Sequence, residues 1–279
     1  MEIRHKAILF LLLSAFLWST GGLFIKLVSW NAVAIAGVRG FISMGVLLAY
    51  VRRPKFTWSI PQIGGAVIFA LTVTLFVAAT KLTTAANAIL IQFTAPVYVA
   101  FLSAWFLGER TRWFDWVMIV VVVGGIVLFF LDRLTPGNLL GNVCAILSGL
   151  GFSFFVLCMR KQKNESPIET VLLGNLFTGL IGLPFMFESI PSVTSWLGLI
   201  FLGVVQLGLS YVFYSEAIKH VTALEAVLIP GIEPILNPLW VFMILGERPG
   251  KWALVGGLVV LVSVTFRSLI ALRSKNPSG

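Results

Sequence analysis

Residues 81–110 read KLTTAANAILIQFTAPVYVAFLSAWFLGER, and residues 219–248 read KHVTALEAVLIPGIEPILNPLWVFMILGER. The two stretches align without a gap at an offset of 138, and eleven of the thirty pairs are identical. Apolar pairs coincide easily, so the informative matches are Lys81 with Lys219, Thr84 with Thr222, Pro96 with Pro234, and Gly-Glu-Arg at 108–110 with 246–248. A weaker echo pairs Leu13, Ser14, Trp18 and Ser19 with Leu147, Ser148, Phe152 and Ser153. An offset close to half of the 279 residues marks a duplicated unit, divided here as residues 1–135 and 136–279.

Hydropathy decides what the unit is. The chain is 58% hydrophobic and 11% charged, with a mean hydropathy of +1.00, whereas soluble domains carry about 25% charged residues. A helix crosses the hydrocarbon core with about 20 apolar residues. Ten such runs are present: 7–28, 32–51, 61–80, 84–107, 113–131, 138–159, 168–187, 194–217, 222–245 and 251–270. Turn-forming breaks such as Arg52-Arg53-Pro54, Gly108-Glu109-Arg110, Thr135-Pro136-Gly137 and Arg248-Pro249-Gly250 separate them. Strand alternation is absent, which argues against a β-barrel. The first run follows Arg4 and Lys6 as a signal peptide would, but it runs too long and has a counterpart in the second half. Five spans per unit is an odd number, so the second unit sits upside down. The expected fold is an all-α integral membrane protein of ten transmembrane helices in two inverted five-helix repeats.

The formal charge is +9, but the cations are scattered through short hydrophilic breaks, with no basic stripe for nucleic acid. Counted by side, the asymmetry is fourteen to five. Arg4, Lys6, Arg52, Arg53, Lys55, Arg110, Arg112, Arg160, Lys161, Lys163, Lys219, Arg267, Arg273 and Lys275 share a side with the N-terminus. Lys26, Lys81, Arg133, Arg248 and Lys251 lie opposite. The positive-inside rule then places both termini in the cytoplasm. Cys144 and Cys158 lie about 21 Å apart if their segment is helical, too far for a disulfide.

Two five-helix units, each ending in a helix with a central Pro followed by Leu-Gly-Glu-Arg, resemble the EamA branch of the drug/metabolite transporter superfamily. Glu233-Pro234 in the ninth span and Arg39-Gly40-Phe41 early in the second match the same pattern, and the resemblance covers nearly the whole chain. It implies an inner-membrane carrier for small metabolites, often an exporter of amino acids or related compounds.

Ionisable residues inside a membrane are costly and mark candidate sites. Glu233 near the centre of the ninth span is a candidate for binding a cargo cation or a proton. Arg39 is a candidate for an anionic group or a gate, and the two are expected to approach each other across a cavity. Trp18 sits at mid-span rather than in the interfacial belt. With Phe152 it forms a candidate aromatic pair for stacking or cation–π attraction. Ser14, Gln206 and Tyr211 complete the candidate binding set. Pro230, Pro234 and Pro238, spaced four apart, each remove a backbone donor. They should turn that face of the helix inward, while Pro96 is the one counterpart in the first half. These prolines are candidate kinks or gates. Gly108 and Gly246 are expected to end the fourth and ninth helices in the left-handed conformation. Glu109 is expected at the start of the next helix, and Glu216 and Glu225 in solvent.

The leading function is a secondary carrier working by alternating access between inverted halves. No Gly-rich nucleotide loop appears, no metal cluster or cofactor motif is present, and no catalytic dyad falls on one helix face. The expected partners are a small-molecule substrate and the lipid bilayer, with protons through Glu233 as an option. Proton coupling and facilitated diffusion stay open, as do monomer and homodimer. The alternatives are a nucleotide-sugar or organophosphate exchanger of the same superfamily, a membrane-embedded enzyme, or a receptor.

Overall fold

The computed structural model describes residues 3–131, 139–245 and 251–273. The junction at Thr135-Pro136, Arg133, the Gly246-Glu247-Arg248 turn, Pro249-Gly250 and Lys275 lie outside the described residues, as does the side chain of Pro238. Among the described residues the regular structure is entirely helical.

The helices group into ten rods. Span 1 is α1 (Ile3–Ser19) plus α2 (Gly21–Leu27), span 2 is α3 (Ala32–Val51), and span 3 is α4 (Ile60–Leu82). Span 4 is α5 (Ala85–Gln92) plus α6 (Ala95–Leu107), span 5 is α7 (Trp113–Phe130), and span 6 is α8 (Leu139–Lys161). Span 7 is α9 (Pro167–Gly182) with a 3-10 turn at Leu183–Phe187. Span 8 joins α10 (Val193–Phe201) to α11 (Ser210–Ala217) through a π-helical segment, Leu202–Leu209. Span 9 joins α12 (Ala223–Leu228) to α13 (Glu233–Leu245) through a 3-10 turn at Ile229–Ile232. Span 10 is α14 (Lys251–Arg273). Among the described residues seven rods are long and apolar enough to cross a membrane by themselves, and α7, the α12–α13 rod and α14 complete the ten. Lipid-facing side chains such as Phe101, Trp105, Val120 and Leu258 are exposed, as a bilayer solvent requires.

The packing repeats itself when each span is exchanged for the one five places on. Span 3 packs on spans 6 and 7, and span 8 packs on spans 1 and 2. Span 4 packs on span 6, as span 9 does on span 1. Spans 2 and 7 pack on each other, and so do spans 5 and 10. This exchange pattern is the two-fold relation between inverted halves.

The interruptions follow from residue chemistry. In span 1, the Ser19 and Thr20 hydroxyls donate to Phe16 O and Leu17 O at 2.6 and 2.7 Å, competing with the helical ladder. In span 4, Pro96 has no N–H and its ring crowds the carbonyl of Gln92, where α5 ends. In span 9, Pro230 and Pro234 tighten the chain into the 3-10 turn. The carbonyl of Ala226, four residues before Pro230, accepts instead from Tyr214 Oη at 3.3 Å. Both halves are thus broken at matching depth, although only Pro96 marks the first.

Spans 2 and 7 cross where neither carries a side chain. A Cβ placed on Gly182 would lie 2.6 Å from Gly37 Cα and 2.8 Å from Val33 O. Small residues permit such approach between membrane helices. Gly182→Ala should therefore lower stability by about 1–3 kcal/mol, read as a drop in the detergent melting temperature. No drop would mean that the crossing opens at little cost.

Gly108 ends α6 with φ 73°, in the left-handed conformation. Glu109 does not cap the next helix, because Asp115 does so by accepting from Arg112 N at 3.2 Å. Glu109 Oε1 accepts from Arg160 Nε at 2.7 Å, and its Oε2 accepts from Ala223 N at 2.8 Å. Arg160 also donates to Ile218 O and Lys219 O. One carboxylate thus serves the N-terminus of α12 while its cationic partner serves the carbonyls ending α11, each matching the local helix dipole. Glu225 is likewise not solvated. It is 2% exposed, accepts from Arg4 at 2.6 Å and caps Thr222 N. Glu216 remains half-exposed beside Lys219.

Candidate functional site

Side chains in the middle of the bundle line a partly open cavity. Spans 1, 2, 3 and 4 contribute Trp18, Arg39, Thr72 and Gln92 with Pro96, and spans 6, 8 and 9 contribute Phe152, Gln206 with Tyr211, and Pro230 with Glu233. Apolar lining comes from Val73, Phe76, Phe93, Leu207 and Val227. Most lining residues fall in the middle stretches of their spans, and the breaks of spans 4 and 9 reach the cavity through Phe93, Ala95 and Pro230.

Arg39 is held deep in the protein at 1% exposure. Its position on α3 is fixed by close backbone approach, because a Cβ on Gly203 would lie 3.0 Å from Arg39 O. One terminal nitrogen donates to Gln206 Oε1 at 3.2 Å and the other to Val73 O at 3.4 Å. Gln206 belongs to the π-helical segment of span 8, and such segments re-aim side chains inside a helix. Gln206 in turn lies against Gly21, where an added Cβ would meet its Nε2 at 2.8 Å. The expected approach of Arg39 to Glu233 is realised only as shared lining of one cavity. Among the described residues no ion pair joins them.

An aromatic wall stands beside these polar groups. Trp18 meets Phe152 edge-on at 6.0 Å between centroids, and it meets Tyr211 and Tyr214 at 5.1 and 4.9 Å. Phe69 and Phe155 pack behind Tyr211. Offset and edge-on pairs of this kind are individually favourable and hold the rings in fixed orientations.

The remaining candidates lie elsewhere. Ser14 is fully buried and donates to Phe10 O and Ser210 O, so it joins spans 1 and 8 rather than lining the cavity. Pro234 is buried behind the lining. Gln92 donates to Ser148 Oγ at 2.7 Å, which donates onward to Thr72 O, a bridge between halves. Thr72 carried no distinguishing sequence signal beyond a hydroxyl in an apolar run, and the apolar lining carried none.

An all-helical membrane protein with a mixed polar and aromatic cavity at the junction of inverted repeats belongs to the class of polytopic transporters. The sequence model of the EamA-like transporter family matches residues 5–131 and again 139–269, and the chain belongs to that family. A protein described as an uncharacterized transporter of Archaeoglobus fulgidus is 32% identical over 91% of this chain and 93% of its own length. The pseudopaline exporter CntI of Pseudomonas aeruginosa is 26% identical over 64% of each chain. The S-adenosylmethionine uptake transporter of Rickettsia conorii is 22% identical over 64% of this chain and 62% of its own. A protein crystal structure at 19% identity superposes with a TM-score of 0.78 over 98% of this chain and all of the other, showing the fold.

Proposed function

We propose that this chain is a secondary carrier that moves amino acids or related amphipathic or cationic metabolites across the inner membrane by alternating access, in the direction of export. The two moving bodies are the halves 1–135 and 136–279, with both termini in the cytoplasm. The observation that carries this reading is the mid-bundle cavity in which a buried guanidinium, a carboxylate and an aromatic wall line one space. Such a lining suits a small molecule bearing polar and apolar parts, and Glu233 is the proton-coupling candidate. A phosphate-bearing cargo calls for several cations, and Arg39 is the one cation among the described lining residues. The named relatives point in both directions, one an exporter and one an uptake transporter. Direction therefore rests on the family resemblance alone.

Purified protein in proteoliposomes, assayed by counterflow against a panel of amino acids and amines with and without a pH gradient, tests the reading. Saturable flux of at least one compound is expected. Binding without flux overturns it in favour of a receptor.

A further inference from the structure

Four of the spans that line the cavity meet on the face of the bundle that bears the N-terminus, and one ion pair ties their ends together. Span 4 is followed by Glu109, span 6 carries Arg160 in its last turn, span 8 is followed by Ile218 and Lys219, and span 9 begins at Ala223. Arg160 donates to Glu109 at 2.7 Å and to the carbonyls of Ile218 and Lys219 at 3.0 and 3.1 Å. The second oxygen of Glu109 accepts from Ala223 N at 2.8 Å. Glu109 belongs to the first half and its partners to the second, so the contact crosses between them. Val227, one turn along span 9 from Ala223, already lines the cavity. The five-place exchange repeats part of this contact at the opposite end. There Lys26, closing span 1, donates to Thr83 O, just after span 3. Span 1 takes the place of span 6, and span 3 that of span 8.

We propose that the Arg160–Glu109 pair is the gate that shuts the cavity from the face bearing the N-terminus. While it holds, spans 4 and 6 stay closed against the adjoining ends of spans 8 and 9. The contact is suited to repeated breaking, because its charges lie at the rim of the bundle, where the Glu109 side chain is already 20% exposed. Opening exchanges the ion pair for hydrated ions, and these two states are nearly balanced in free energy. Removing the carboxylate tips that balance. The guanidinium, 4% exposed when closed, is then buried without its counter-charge, and conformations that hydrate it gain population. The inference rests on the carrier reading above and assigns one of the two closures that alternating access needs.

The test uses Val227→Cys as a reporter in protein that also carries Cys144→Ser and Cys158→Ser. A membrane-impermeant maleimide is applied to sealed membrane vesicles of either orientation, and the labelling rate is measured from each face. Glu109→Gln keeps an acceptor for Ala223 N and removes the counter-charge. It should raise labelling from the N-terminal face by about tenfold, the scale of one bond to a charged group, while labelling from the opposite face stays level or falls. Arg160→Lys keeps the charge but cannot reach the carboxylate and both carbonyls at once, and it should act in the same direction. Wild-type labelling from both faces that neither variant alters overturns the gate and leaves the carrier reading standing. So does an equal rise at both faces, the mark of general loosening. Labelling confined to one face in the wild type and in both variants defeats the carrier reading itself.

Discussion

Replacing Glu233 with glutamine should abolish transport, or leave a residual flux roughly 100-fold lower that no longer responds to a pH gradient, while the protein is made and folded normally. Glutamine preserves volume and hydrogen-bonding capacity but carries no charge and takes up no proton. Packing around α13 should therefore survive, and only interactions that need a carboxylate are lost. An unpaired charge in a membrane span persists where it has a task, and among the described lining residues Glu233 is the one acidic group. The loss corresponds to about 2.7 kcal/mol, within the range for bonds to a charged group. Flux is compared across a series of pH gradients, with monodispersity and melting temperature as the folding control. Wild-type rates with intact pH dependence would end the proton-coupling role, and wild-type rates with normal affinity for amines would also end the ammonium-binding role.

The second large effect is on stability. Arg160→Ala should lower the detergent melting temperature by roughly 6–12 °C, from about 3 kcal/mol at a few degrees per kcal/mol for a chain of this size. Arg160 is 4% exposed and binds Glu109 and the carbonyls of Ile218 and Lys219. Its removal leaves a carboxylate without a cation and two carbonyls without donors where spans 4, 6, 8 and 9 converge. Losing one partner of such a pair is worse than never having had it, because the survivor stays desolvated. Glu109→Gln should be milder, since an amide oxygen still accepts from Ala223 N. A melting temperature within about 1 °C of wild type for Arg160→Ala would show that solvent screening already cancels the pair.

The spans and the duplication were legible because hydropathy over twenty-odd residues and a gapless repeat both survive averaging over many side chains. Trp18, Arg39, Gln206, Tyr211 and Glu233 stood out because each is expensive in lipid, and they line one cavity. Ser14 stood out for the same reason but is satisfied by backbone carbonyls, an arrangement any serine in a helix can adopt. Val73, Phe76, Leu207 and Val227 could not be told from lipid-facing or core residues, since an apolar side chain pays nothing to face any of the three environments. Glu225 and Glu109 misled for a different reason. At a span end a carboxylate can meet water or another helix terminus, and only the neighbouring helix decides. The π-helical segment that aims Gln206 leaves no mark in composition, because one inserted residue shifts a helical face without changing its hydropathy.

Spans 2 and 7 are a pair that the two-fold relation exchanges with each other, so the axis relating the halves runs between them. A contact on an axis keeps its distance when the halves tilt about it, whereas contacts farther out must part on one side and close on the other. Between Gly37 and Gly182 no rotamers have to be unlocked and no ridges have to ride over one another. In the alternating access proposed above, this side-chain-free crossing offers the moving halves little resistance.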